Sequence, residues 1–160
     1  MDYVFSTATN SDAAGIFALY RSMIGRPGCT WSEEYPAFEL IERDIRTGSL
    51  YILKDSKERL IAAAAAGPDN ELEDFEWKPR HPCELARIAV AIPCQNKGVG
   101  SYLLKQVIAA VKARGFDGIR MLVYVNNPSA LALYDKYGFK RLDIVHMYGY
   151  DFYRYEMVFQ

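Results

Sequence analysis

Histidine is scarce in this chain: His81 and His146 are the only two in 160 residues. A histidine-built metal site is therefore not expected, and a general base is expected to be a carboxylate or a water. Cysteine is nearly as sparse. Cys29, Cys83 and Cys94 are odd in number and fit no metal-ligand spacing, so reduced thiols are expected instead of a disulfide framework. Neither sign of charge is in excess, since 19 Lys and Arg stand against 20 Asp and Glu, for a net charge of −1. With the basic residues scattered, nothing marks a nucleic-acid or anionic-membrane partner. No apolar run approaches the ~18 residues of a membrane-spanning helix. The opening Met1-Asp2-Tyr3-Val4-Phe5 lacks the basic-then-apolar form of a secretion signal. A cytoplasmic protein is the resulting expectation. Neither G-x-x-x-x-G-K-[ST] nor G-x-G-x-x-G occurs, which excludes a Walker-type loop and leaves a dinucleotide fold unsupported.

What is present suits one domain over residues 1–160: 51% hydrophobic, 24% charged, with no repeat and no shift in composition. Residues 3–8 predict a strand, Thr9-x-x-Asp12 a capping box, and Ala13, Phe17, Tyr20 and Ile24 the apolar stripe of a helix. Residues 32–47 predict a second helix, with Phe38, Ile41 and Ile45 facing inward and Gly48 ending it. A hairpin over 50–54 and 60–66 follows, then a polar loop, 67–82, long enough to be functional. A strand is expected over 85–93. Val99, Leu103, Val107 and Val111 then recur at helical spacing as far as Arg114-Gly115. A strand over 119–125, a helix opened by Asn127-Pro128, and two strands, 139–146 and 152–159, complete the chain.

The turn between that strand and the long helix is Gln95-Asn96-Lys97-Gly98-Val99-Gly100. Such a turn aims several backbone N–H groups at one spot, at the positive end of the helix dipole, and glycine leaves room for a diphosphate to approach. The same residues could equally serve only to start a helix. Downstream lies Asn127-Pro128-Ser129-Ala130, followed by Tyr134 and Gly138-Phe139. By periodicity Tyr134 is a core aromatic, and Asn127 is a helix cap.

Taken in order, four segments resemble the GNAT superfamily of acyl-CoA-dependent N-acetyltransferases. They are Arg87-Ile88-Ala89-Val90 with Pro93, Gln95-x-x-Gly98-x-Gly100, Asn127 with Ala130 and Tyr134, and Gly138-Phe139, all within roughly residues 84–140. The resemblance implies an α/β fold with a mixed, centrally split sheet and helices on both faces. It implies acetyl-CoA in the split, its pantetheine arm along the backbone of Ile88, Ala89 and Val90. The N–H groups of Gln95, Asn96, Lys97, Gly98, Val99, Gly100 and Ser101 would hold the diphosphate, and Asn127 would lie near the pantetheine. Tyr134 would face the sulfur and give a proton to the departing thiolate.

Glu84 is the candidate general base, as in some members of the superfamily; otherwise it is a solvated Glu where the strand begins. Counting by twos puts Glu84 and Val90 on one sheet face and Arg87 on the other, where a structural or subunit-contact role suits it. Trp31, Glu33, Tyr35 and Trp77 are candidates for the acceptor side, with Tyr148 and Tyr153 as further aromatics. A carboxylate beside aromatics would suit a cationic amine. The expected activity is transfer of acetyl from acetyl-CoA to a primary amine of a small molecule by direct attack, without a metal. A peptide or protein N-terminus as acceptor and a non-catalytic acyl-CoA-binding module are the alternatives, and a homodimer is compatible with the sequence.

Overall fold

A computed structural model describes residues 2–160. Seven strands form one open sheet: β1 (Val4–Thr7), β2 (Leu50–Lys54), β3 (Leu60–Gly67), β4 (Pro82–Val90), β5 (Gly118–Tyr124), β6 (Lys140–Met147) and β7 (Tyr150–Val158), in the order β1-β2-β3-β4-β5-β7-β6. Neighbours run antiparallel except β4 and β5, which are parallel. Four helices cover it: α1 (Ala13–Arg21), α2 (Phe38–Arg46), α3 (Val99–Ala113) and α4 (Pro128–Lys136). Ile16, Leu19 and Tyr20 of α1 and Ile41 of α2 are buried on one face, and Leu103, Val107 and Val111 of α3 with Tyr134 of α4 on the other. Each such aliphatic side chain contributes roughly 1.5–3 kcal/mol by leaving water. Among the described residues no helix is long and apolar enough to cross a membrane.

Local chemistry accounts for most element boundaries. Asp12 Oδ2 accepts the Thr9 N–H at 2.8 Å, as the capping box predicts, although a short 3₁₀ turn intervenes before α1. α1 ends at Arg21, which leaves Ile24 outside the helix. The second helix is shorter than its periodicity predicts. Ser32 and Tyr35 pair as an isolated antiparallel bridge, and α2 begins only at Phe38. Pro36 is the reason: it has no N–H to give a helix, and it biases Tyr35 toward extended backbone. β4 begins at Pro82 and ends at Val90, after which Ile92–Cys94 form a 3₁₀ turn.

Two features of β4 position the site. Its pairing with β5 lasts three rungs, Pro82↔Gly118, Cys83↔Ile119 and Glu84↔Arg120. Beyond them β4 stays with β3 and β5 with β7, so the sheet opens into a wedge whose one wall is the free edge of β4. The second feature is a β-bulge. Ala63 pairs with Ala89 and Ala65 with Ala86, so two steps along β3 match three along β4. Arg87 absorbs the extra residue at φ 51°, in the left-handed region. The bulge overturns the count by twos. Leu85, Ile88 and Val90 pack toward α3, whereas Glu84, Ala86 and Arg87 line a cavity beside α2. Glu84 and Val90 therefore lie on opposite faces, and Arg87 shares the face of Glu84.

Candidate active site

The wedge widens toward the start of α3. Asn96 at φ 61° and Gly98 at φ 82° both adopt left-handed backbone, which folds the turn back upon itself. An added Cβ at Gly98 would meet nothing within 4 Å, so the glycine answers to the backbone conformation and to what lies outside the turn. The first amide of the helix to bond within the chain is that of Tyr102, to Gly98 O at 3.1 Å. The amides of Asn96, Lys97, Gly98, Val99, Gly100 and Ser101 have no partner among the described residues. They stand at the positive end of a 15-residue helix. Gln95 departs from the expected set. Its amide donates to Ile92 O at 3.2 Å inside the 3₁₀ turn, and its side-chain Nε2 donates to Val90 O at 3.0 Å. It braces the turn against the end of β4 and offers no free backbone amide.

Gly100 also differs in role from Gly98. A Cβ there would be in ordinary contact with Leu133, at 3.8 Å, and Val90, at 3.9 Å. Gly100 and Leu133 line a narrow apolar slot with Leu85, Ile88 and Leu103, between β4, α3 and α4. The slot lies beside the stretch of β4 that β5 leaves unpaired, Ile88, Ala89 and Val90, where Val90 O already accepts from Gln95. At its far side Asn127 caps α4, accepting the Ala130 N–H at 3.3 Å. The loop after α1 presses on this cap: a Cβ at Gly28 would come within 3.1 Å of Asn127 Cγ.

Tyr134 projects from α4 into the core, 5% exposed, edge-on to Phe139 at 5.5 Å and Tyr155 at 6.0 Å between ring centroids. Among the described residues its hydroxyl has no hydrogen-bond partner, and it is not one of the sealed polar atoms. Burial raises the phenol above its ordinary value, so it keeps its proton at neutral pH.

Glu84 sits where the wedge closes. Its Oε1 accepts the Leu72 N–H at 3.0 Å and faces Arg120 Nη2 at 3.1 Å. Oε2 has no protein donor and is not sealed. Burial, with Asp69 and Glu71 nearby, raises the carboxyl above its usual range, against the opposing pull of the Leu72 amide and Arg120. Glu84 lines a polar cavity of about 280 Å³ with Arg43, Asp44, Ser49, Asp69, Asn70 and Arg87. The Arg87 guanidinium is fixed in place, with Nη2 on Asp44 at 2.9 Å and Nη1 on the Tyr35 hydroxyl at 3.0 Å.

Of the acceptor-side candidates, the structure brings Tyr35 to this cluster through Arg87. Trp31 instead packs edge-on to Tyr20 at 5.1 Å, and Glu33 is an exposed partner of Arg21 at 3.8 Å. Trp77 lies under Arg154 at 4.9 Å and donates to Leu72 O at 2.8 Å, so it stabilises loop 68–81 and does not line the cavity. Tyr148, at the β6–β7 turn, hydrogen-bonds to Glu71. Sequence reasoning missed Arg120 and Asp44. The signal for Arg120 was available: it is the one charge in the strand GIRMLVY, and a buried strand holds an arginine only when something pairs with it.

Comparison with known proteins bears on the family and the fold. Over 90 residues the chain is 31% identical to the mycothiol acetyltransferase of Rhodococcus jostii (strain RHA1), covering 51% of this chain and 30% of that protein. Over 78 residues it is 32% identical to N-alpha-acetyltransferase MAK3 of Arabidopsis thaliana, covering 47% of this chain and 41% of that one. The chain thus spans less than half the length of both relatives. A crystal structure of a GNAT superfamily phosphinothricin acetyltransferase from Sinorhizobium meliloti, in complex with AcCoA, superposes with a TM-score of 0.79 at 20% identity, over 99% of this chain and 89% of that one. The model of the acetyltransferase (GNAT) family matches residues 16–139, the stretch that holds the wedge, the glycine turn and Tyr134, and the chain belongs to that family.

Proposed function

We propose that this chain is an N-acetyltransferase that moves acetyl from acetyl-CoA to a primary amine of a small molecule by direct attack. The observation that carries the reading is the wedge between β4 and β5. It has free amides at its wide end and a buried carboxylate with one free oxygen at its closed end. The residues fit the cosubstrate. The amides from Asn96 to Ser101 and the dipole of α3 suit a diphosphate, and the edge of β4 that β5 leaves unpaired beyond Glu84 suits a pantetheine arm. Acetyl-CoA supplies the acyl group as a thioester.

The chain's own residues then divide the proton transfers. Glu84 Oε2 takes a proton from the incoming ammonium, directly or through a water, and so frees the nitrogen lone pair. The nitrogen lone pair then bonds to the acetyl carbon, Tyr134 gives its hydroxyl proton to the sulfur as the C–S bond breaks, and the second proton of the acylated nitrogen returns to the phenolate, directly or through a water. A cavity of about 280 Å³ falls just below the usual range of roughly 300–1,000 Å³ for small-molecule sites, which favours a compact acceptor. The likeness to N-alpha-acetyltransferase MAK3 keeps a peptide N-terminus as the second reading. Thiol release from acetyl-CoA, measured over a panel of amines, polyamines, aminoglycosides and short peptides, tests the proposal. Turnover on small amines supports it, turnover on peptides alone selects the second reading, and binding without turnover leaves a non-catalytic acyl-CoA-binding module.

A further inference from the structure

Glu84 and Arg120 are cross-strand neighbours on the last rung before the sheet opens. Both side chains are buried, at 7% and 11% exposure. Arg120 Nη2 lies 3.1 Å from Glu84 Oε1 and donates to Asp69 O at 2.9 Å. Its Nε is sealed without any partner. A buried guanidinium satisfied only in part is an expensive way to stabilise a fold, and an apolar residue would generally serve as well or better. We infer that Arg120 is a positioning residue for the reaction: it occupies Oε1, leaves Oε2 as the oxygen that faces the cavity, and holds Glu84 ionised inside the fold. The inference rests on the reading of Glu84 as the base that deprotonates the amine.

The surroundings leave that task to Arg120. A buried carboxylate without a counter-charge takes up a proton, and a protonated Glu84 could not accept one from an ammonium. On loop 68–81, Asp69 and Glu71 push the same way as burial. From α2, Asp44 faces the cavity with Arg43, but Arg43 pairs with Asp44 and Asp69. From the bulge, Arg87 is committed to Asp44 and Tyr35. From the β6–β7 turn, Tyr148 bonds to Glu71; from β7, Glu156 is the register partner of Arg120, a buried carboxylate whose Oε1 accepts the Lys78 N–H at 2.9 Å. Arg120 is the cation in contact with Glu84 among the described residues.

The test uses Arg120→Gln, which keeps a donor for Asp69 O but no charge, and Arg120→Lys, which keeps the charge. Titration of the Glu84 side-chain carboxyl by ¹³C NMR in the full-length chain, assigned by its loss in Glu84→Gln, reads the effect directly. The midpoint should rise by about one pH unit or more in Arg120→Gln, a tenfold loss of the ionised form, and return toward wild type in Arg120→Lys. The acid limb of kcat/KM on an accepted amine should rise with it, while KM for acetyl-CoA stays unchanged. If Arg120→Gln does not fold by circular dichroism, Arg120→Met is read in the same way. An unmoved Glu84 midpoint in the neutral variant overturns the role of Arg120, whatever the fate of the base reading. A midpoint that moves while the acid limb stays fixed overturns Glu84 as the base, and with it the catalytic part of the inference, while its electrostatic part stands.

Discussion

Replacing Tyr134 by Phe removes one hydroxyl and keeps the ring. The ring is what the core uses: it meets Phe139 at 5.5 Å and Tyr155 at 6.0 Å, and Phe can keep both contacts. The hydroxyl has no protein partner among the described residues, so its loss strands no donor or acceptor. A volume-conserving change of this kind usually costs less than about 1.5 kcal/mol, so the melting temperature should move little. Catalysis should respond quite differently. If the phenol protonates the departing thiolate, general-acid catalysis is typically worth about 10²–10⁴-fold, or roughly 2.7–5.4 kcal/mol of barrier at 1.36 kcal/mol per decade. The loss should fall on kcat, with acetyl-CoA affinity by calorimetry nearly unchanged, because the proton is needed only as the C–S bond breaks. The pH dependence sharpens the test. Burial raises the phenol above its ordinary value, so wild type and variant should show parallel profiles from about pH 6 to 9, well below the unperturbed phenol at about 10. Wild-type turnover in Tyr134→Phe on a confirmed amine would refute the reasoning and return Tyr134 to a packing role.

Other substitutions probe the remaining parts of the site. Glu84→Gln should slow the reaction by about 10²–10⁴-fold near neutral pH if Glu84 is the base, and the loss should shrink at high pH, where the amine is already neutral. Because burial raises the Glu84 carboxyl, the acid limb of wild-type kcat/KM should lie above the unperturbed Glu value of about 4.3, and an equal loss at every pH would contradict this. Gly98→Val forces a β-branched residue to φ 82°, so it should abolish acetyl-CoA binding by calorimetry while circular dichroism stays near wild type; Gly100→Ala, facing Leu133 and Val90 at 3.8 and 3.9 Å, should fold normally. Asp44→Ala strips the buried Arg87 of its carboxylate partner at 2.9 Å and should cost about 3–5 kcal/mol in chemical denaturation, and a loss under 1 kcal/mol would show that the pair is dispensable.

The glycine turn, the helix after it and the Asn127–Tyr134 segment were legible in the sequence because each is governed by local rules: left-handed backbone at Gly98, helical spacing in α3, a side-chain cap on α4. Residues close in sequence specify such features, so no long-range pairing is needed to read them. The capping box at Thr9 and Asp12 was legible for the same reason. The tertiary structure alone decided what depended on register. Alternation along β4 held only as far as the bulge at Arg87, where one extra residue exchanged the faces of everything beyond it. No pattern within 82–90 announces that insertion, because it arises from how β4 matches the alanine strand β3. The partner of Glu84 was hidden likewise. Arg120 lies 36 residues further on, and only the parallel pairing of β4 with β5 brings the two together. The sequence thus determined the glycine turn and helix start proposed to hold the cosubstrate, while strand pairing set Arg120 against Glu84 and left Oε2 as the oxygen without a protein donor.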